Sequence, residues 1–374
     1  MRIIVILVNN YYSFFMIYIL GGIMKAKLIL ENGMIFHGEA FGYLEETVGE
    51  LVFTTVMTGY QEVLTDPSYH GQIVVMTYPL IGNYGINLED MQSDRVRVKG
   101  FIIKEDAKLP NNFRCEITLE AYLKQNKVMG LKNIDTRHLT RIIRNTGTKK
   151  AVITTRDISQ EELGNIFSSF SNADAVKQVT RKDILEIAGS GERIAIIDFG
   201  IKKHIIESFA KRNCDIRVFP AYTKYETIME YNPDALFLSN GPGDPEDLPE
   251  AIELVKKVIG KKPVIGICLG HQIAALAMGG KTAKMRFGHR GGNHPVKDIE
   301  KNKIYISSQN HGYKVTELPE GTILSHVNLN DNSIEGMKNK DLKVYTVQFH
   351  PEASPGPEET AYIFDDFLNM IREG

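Results

Sequence analysis

The chain has 374 residues, 43% of them hydrophobic and 24% charged, with a formal net charge of -2 and its Lys and Arg spread along the sequence. That length suits two domains of moderate size rather than one, and the balance is that of a globular protein. No clustered basic surface points to a nucleic-acid groove, and three widely spaced cysteines, Cys115, Cys214 and Cys268, argue against a disulfide framework or a metal cluster and fit a reducing, cytoplasmic compartment.

Residues 1–23 are apolar, with Arg2 as their only charge. The stretch is marginally long enough to span a membrane. Asn9, Asn10 and Ser13 interrupt it, however, and no small-residue cleavage site follows, as a secretory signal requires. The expectation is that translation starts at Met24, with an apolar N-terminal extension that marginally qualifies as a membrane span as the alternative.

From Met24 the pattern is rich in strands. Apolar runs at 26–30 and 34–38 flank an Asn32-Gly33 turn and read as a hairpin. Further strands are expected at 51–56, 73–76, 98–103 and 151–154, and helices at Leu119–Gln125 and 136–145, the second capped by Asp135 and ended by Gly147. Residues 24–157 thus form a mixed α/β unit. The polar, helix-biased segment 158–191, closed by Gly189-Ser190-Gly191, reads as a linker. From residue 192 to 374 apolar strands alternate with amphipathic helices: strands at 194–197, 216–219, 235–238 and 264–267, with helices near 205–209, 226–230, 249–259 and 271–278. Such alternation predicts an open, mostly parallel sheet with helices on both faces, whose active site gathers at the carboxyl ends of strands. The segments 239–244, 268–272 and 350–357 fall at such ends.

Gly266-Ile267-Cys268-Leu269-Gly270 lies between a buried strand and a helix. It has the form of a nucleophile elbow with cysteine at its apex. The glycines permit the tight turn, and the helix N-terminus offers a positive dipole and free N–H groups that favour a thiolate and then an oxyanion. His350 ends the apolar run 344–349. Pro351 biases it toward extended backbone, so that Glu352, two residues on, points to the same side. A carboxylate on one imidazole nitrogen leaves the other free to exchange a proton with the thiol. Ser239-Asn240-Gly241-Pro242-Gly243-Asp244-Pro245 follows another buried strand. It suits either close backbone approach to a substrate or a rigid surface turn.

Together, GxCxGHQ at 266–272, NGPGDP at 240–245 and FHPE at 349–352 resemble the class I (triad) glutamine amidotransferases. The first half narrows the resemblance. TTVMTGYQEVLTDP at 54–67 with Tyr69, TYPLIGNYG at 77–85, Asp135-Thr136-Arg137 and Gly147-Thr148 look like the small subunit of glutamine-dependent carbamoyl-phosphate synthetases, as does HPEASPGP at 350–357. The resemblance implies Cys268 as nucleophile, His350 as general base and acid, and Glu352 as the group that orients it. It implies Gly241, Gly243, Leu269, Gln272, Asn310, Gly312 and Tyr313 as glutamine contacts, with the main-chain N–H groups of Gly243 and Leu269 on the oxyanion. It implies a large partner subunit that uses ATP and a divalent metal, with no cofactor or metal held in this chain. One departure stands out: Val56 occupies a position where the family often has a serine that approaches glutamine. The rival expectations are the glutaminase of another synthetase, feeding guanylate or anthranilate synthesis, and a non-catalytic regulatory partner.

Overall fold

A computed structural model describes residues 24–373, so the apolar segment 1–23 and both readings of it lie outside the described residues. Asn32-Gly33 makes the expected hairpin. Gly33 takes φ +85, and β1 (Lys25–Leu30) pairs antiparallel with β2 (Ile35–Gly42). There follow β3 (Thr47–Thr54), β4 (Gln72–Met76), the two-residue β5 (Leu80–Ile81), β6 (Gly100–Ile102), the two-residue β7 (Glu105–Asp106), β8 (Met129–Lys132) and β9 (Lys149–Thr154). Seven of these close into a barrel in the order β1-β2-β8-β6-β4-β3-β9, sealed by β9 against β1. Within it β3, β4, β6 and β8 run parallel to one another. Parallel neighbours need crossovers, and the helices Tyr60–Thr65 and Leu119–Gln125 lie on two of them. Side chains alternate across each strand: Leu51, Ile73 and Ile102 enter one buried cluster, while Val52, Val74 and Phe101 enter another.

The second sheet has ten strands: β10 (Leu185–Ile187), β11 (Arg193–Asp198), β12 (Asp215–Pro220), β13 (Ala235–Leu238), β14 (Val264–Ile267), β15 (Lys281–Asp298), β16 (Lys303–Glu317), β17 (Ile323–Asn328), β18 (Ile334–Asn339) and β19 (Val344–Val347). Their order is β10-β12-β11-β13-β14-β19-β18-β17-β15-β16. The run β12-β11-β13-β14-β19 is parallel and packs helices on both faces. Leu254, Val255 and Ile273 cover one face, and Phe209, Phe364 and Phe367 the other. Beyond β19 the sheet continues as an antiparallel arm, β18-β17-β15-β16. The sequence does not announce β15, because its residues are largely polar and its pairing with β16 carries register shifts. It is held by backbone pairing, not by an apolar period.

Segment 158–191 is more than the connector expected from its polarity. Its Leu185–Ile187 adds an antiparallel edge strand to the second sheet, Val176 joins a core cluster, and the Arg181 N–H donates to Asp198 at 2.9 Å. Few apolar residues suffice here because strand pairing and a backbone hydrogen bond to Asp198 share the task with a short buried turn around Val176. The antiparallel arm also braces the barrel. Thr55 N–H donates to the Arg290 carbonyl and Thr148 N–H to that of Arg286.

Candidate active site

Cys268 sits between β14 and the helix Leu269–Ala277 with φ 55 and ψ -107, a region that costs a non-glycine residue energy and persists only where the surroundings enforce it. Here they do. A Cβ on Gly270 would run into the Leu238 carbonyl, and one on Gly266 would press on Gly270 and Leu238, so the two flanking glycines let the turn lie flat against β13. In the first turn of the helix Gly270 N–H donates to the Ser239 carbonyl and the His271 and Gln272 N–H groups to that of Cys268, which leaves Leu269 N–H without an acceptor among the described residues. The thiol is 2% exposed, lies 3.6 Å from the Asn310 carbonyl, and opens onto a cavity of about 500 Å3.

His350 follows β19. Its Nδ1 lies 2.6 Å from Glu352 Oε1, and its own N–H donates to the Ser308 carbonyl. Nε2 makes no hydrogen bond among the described residues, and the Cys268 sulfur is near enough to act on the charge of the ring. Burial alone pushes the ring toward the neutral form. The Glu352 carboxylate and then the Cys268 sulfur outweigh it and raise the pKa to about 10. Glu352 is buried too, which disfavours its charge, yet Lys202 and then His350 hold it down at about 2. Lys202 is itself 2% exposed. Its Nζ lies 2.9 Å from Glu352 Oε1 and donates to the Ala353 carbonyl, while its N–H donates to Asn240 Oδ1 at 3.1 Å.

Of the residues expected to contact substrate, Gly241, Gly243, Gln272, Asn310, Gly312 and Tyr313 line the same cavity as Cys268. Gln272 is fixed there by donating to the Tyr313 carbonyl at 2.9 Å and to Gln348 Oε1 at 3.0 Å. Asn310 Nδ2 donates to Asp66 Oδ2 at 2.7 Å, across the junction of the two halves. Gly243 takes φ +93, and a Cβ on Gly241 would strike the Phe199 carbonyl. Leu269 does not line the cavity with its side chain, which is core. His350 and Glu352 stand behind the thiol, outside the main cavity, and His350 borders a smaller one shared with Val56 and Lys202. Val56, at 7% exposure, therefore faces this rear space and not the main cavity.

Sequence reasoning missed Lys202, Asp66 and Arg290. Arg290 is 4% exposed, lines the cavity, and donates from Nη1 to the Phe287 carbonyl at 2.7 Å. The available signal was a lysine next to the β11 end, in Asp198-Phe199-Gly200-Ile201-Lys202, where an apolar setting demands a partner. His289, His311 and Glu335 also converge, with candidate ligand atoms within 4.8 Å of one another. Both His311 nitrogens are engaged, with the Tyr313 carbonyl and Gln309, and Glu335 accepts from Gln309 and Asn328, so hydrogen bonding accounts for that cluster.

The sequence matches known families in both halves. Residues 28–153 match the family "Carbamoyl-phosphate synthase small chain, CPSase domain", and residues 195–370 match "Glutamine amidotransferase class-I". A carbamoyl phosphate synthase small chain of Clostridium perfringens is 60% identical over 92% of this chain and 99% of its own length. A carbamoyl phosphate synthase pyrimidine-specific small chain of Bacillus subtilis is 50% identical over 93% of this chain and 96% of its own. Among solved structures, a glutamine amidotransferase of Thermotoga maritima is 20% identical with a TM-score of 0.38, covering 50% of this chain and 87% of that one.

Proposed function

Because this chain belongs to the carbamoyl-phosphate synthase small chains, and so is a glutamine amidotransferase subunit, we propose that it hydrolyses L-glutamine through Cys268, His350 and Glu352 and passes the ammonia to a large subunit. The observation that carries the proposal is the 2.6 Å contact of His350 Nδ1 with Glu352, which leaves Nε2 without a hydrogen bond and available to the thiol of the elbow.

In the proposed sequence the Cys268 thiolate attacks the side-chain amide carbon of glutamine. The oxyanion that forms is met by the N–H groups of Leu269 and Gly243, and Gly243 N–H makes no hydrogen bond among the described residues. His350 carries a proton at neutral pH and gives it to the departing nitrogen, so ammonia leaves and a thioester remains. The ring, now neutral, takes a proton from water as that water attacks the thioester. Glutamate is released, and thiolate and imidazolium are restored. Gln272, Asn310, Gly241, Gly312 and Tyr313 hold the amino-acid end of the substrate.

Ammonia in water near neutral pH is mostly protonated and a poor nucleophile, so it must be delivered directly. Gly280-Lys281-Thr282 has the ending of a Walker phosphate loop but joins the end of helix Leu269–Ala277 to β15 and not a strand to a helix N-terminus, so ATP, its divalent metal and the making of carbamoyl phosphate are assigned to the large subunit. The product would serve arginine or pyrimidine synthesis in the cytoplasm, and among the described residues no helix is long and apolar enough to cross a membrane.

The test is carbamoyl phosphate formation by the large subunit with glutamine or with ammonia as nitrogen donor, with and without this chain. Glutamine should serve only when the chain is present, and ammonia in either case. Glutamine use without the chain, or none with it, refutes the proposal. The isolated chain should hydrolyse glutamine feebly until the partner docks.

A further inference from the structure

Because β3, β4, β6 and β8 are parallel, the residues that lead into them meet at one mouth of the barrel. Glu45 and Glu46 precede β3, His70 precedes β4, Arg95, Arg97 and Lys99 lead into β6, and Lys127 precedes β8. All of them line a cavity of about 400 Å3 that shares no lining residue with the one at Cys268.

The charge of this cavity is unbalanced. Glu46 is taken by Arg156 at 2.9 Å and Arg97 by Asp94 at 2.5 Å. Setting those two pairs aside leaves Arg95, Lys99 and Lys127 facing Glu45, and none of these three cations forms an ion pair among the described residues. Arg97 is the buried member, its side chain 9% exposed. Its Nε donates to Ser93 and one Nη2 hydrogen to Asp94, and its other N–H groups have no protein acceptor among the described residues, although a guanidinium carries five donors. The field is felt by His70. Burial first, and then Lys99, Arg97 and Arg95, push its pKa down to about 4, so the ring stays neutral and hydrogen-bonds Gln178 at 3.1 Å.

We propose that this cavity binds a small multivalent oxyanion of the phosphate or pyrophosphate class, held by Arg95, Arg97, Lys99 and Lys127. A concave site lined by one sign of charge concentrates counter-ions. Arginine forks pair with phosphate oxygens through two parallel hydrogen bonds, and lysines add point charge. A single carboxylate would leave most of the excess unmatched, which is why the charge of the ligand is expected to be two or more. The inference concerns the barrel alone and does not depend on the glutamine chemistry.

Calorimetric titration of the full-length chain with inorganic pyrophosphate, at ionic strength held constant with sodium chloride, tests it. Saturable binding is expected, with a dissociation constant on the order of 1 mM or tighter. Arg95→Gln and Lys99→Gln should each weaken it about tenfold. Both side chains are exposed, so folding should be kept, and an unchanged melting temperature checks that. Lys256→Gln, an exposed residue of the other half, should bind as the parent chain does. Absence of saturable binding, or binding by Arg95→Gln and Lys99→Gln as tight as that of the parent chain, overturns the proposal.

Discussion

Lys202 and Glu352 form a buried ion pair, 2.9 Å between Nζ and Oε1, on the same carboxylate oxygen that accepts from the His350 ring. Both side chains are essentially out of solvent, 2% and 0% exposed. Burying charge is costly unless it is matched, and here each charge compensates the next along the line Lys202, Glu352, His350. Removing the lysine leaves a buried carboxylate with one partner. Lys202→Met should cost about 3 kcal/mol of stability, read as a lowered denaturation midpoint, and should weaken glutamine hydrolysis because Glu352 then ionises less readily. A variant as stable and active as the parent would sever the lysine from the triad.

The pH profile follows from the same line. His350 lies above its ordinary 6.5, at about 10, so its pairing stabilises the fold fully below about pH 6.5 and is lost as the pH rises through about 10. Glu352 is depressed from 4.5 to about 2, so its contribution is present above about pH 4.5 and is lost as the pH falls through about 2. In the proposed mechanism the His350 proton goes to the leaving ammonia. The alkaline limb of kcat/KM should therefore lie well above 7, as a property of the coupled group, and should move down in Glu352→Gln. A limb that stays in place in that variant would show that the carboxylate does not set the proton affinity of the ring.

Cys268→Ala should reduce glutamine hydrolysis by roughly a thousandfold or more, whereas Glu352→Ala should keep a measurable fraction because the Cys–His pair survives. With the large subunit present, the Cys268→Ala complex should still make carbamoyl phosphate from ammonia. Glutamine turnover at the parent rate in Cys268→Ala would end the triad assignment.

Asp66 reaches across from the barrel half to hold the Asn310 amide at 2.7 Å. Losing one hydrogen bond to a charged group costs about 1.5–3 kcal/mol, so Asp66→Ala should raise KM for glutamine on the order of tenfold while leaving kcat closer to the parent. A fall in kcat alone would place Asp66 outside substrate positioning.

The elbow predicts its own consequence. A methyl group on Gly270 meets the Leu238 carbonyl, and backbone cannot swing aside as a flexible side chain would. Gly270→Ala should destabilise the chain by about 1–3 kcal/mol and displace Cys268. Calorimetric melting together with glutaminase assay reads both effects, and a fully stable, fully active variant would contradict the packing.

Much of this protein is legible because its signals are local. Gly266-Ile267-Cys268-Leu269-Gly270 encodes a turn within five residues, the His350–Glu352 spacing puts two side chains on one side of an extended backbone, and the alternation of strands and helices after residue 192 sets the parallel half of the sheet. The polar strand β15 and the packing of segment 158–191 were hidden, since main-chain pairing and a few isolated buried contacts leave no apolar period to read. What only the tertiary structure decided are the contacts that turn motifs into a site: Lys202 against Glu352, Asp66 against Asn310, 244 residues away, and the basic mouth of the barrel. Each joins residues distant in the chain, and no local spacing records which buried charge will meet its partner once the two halves close on each other.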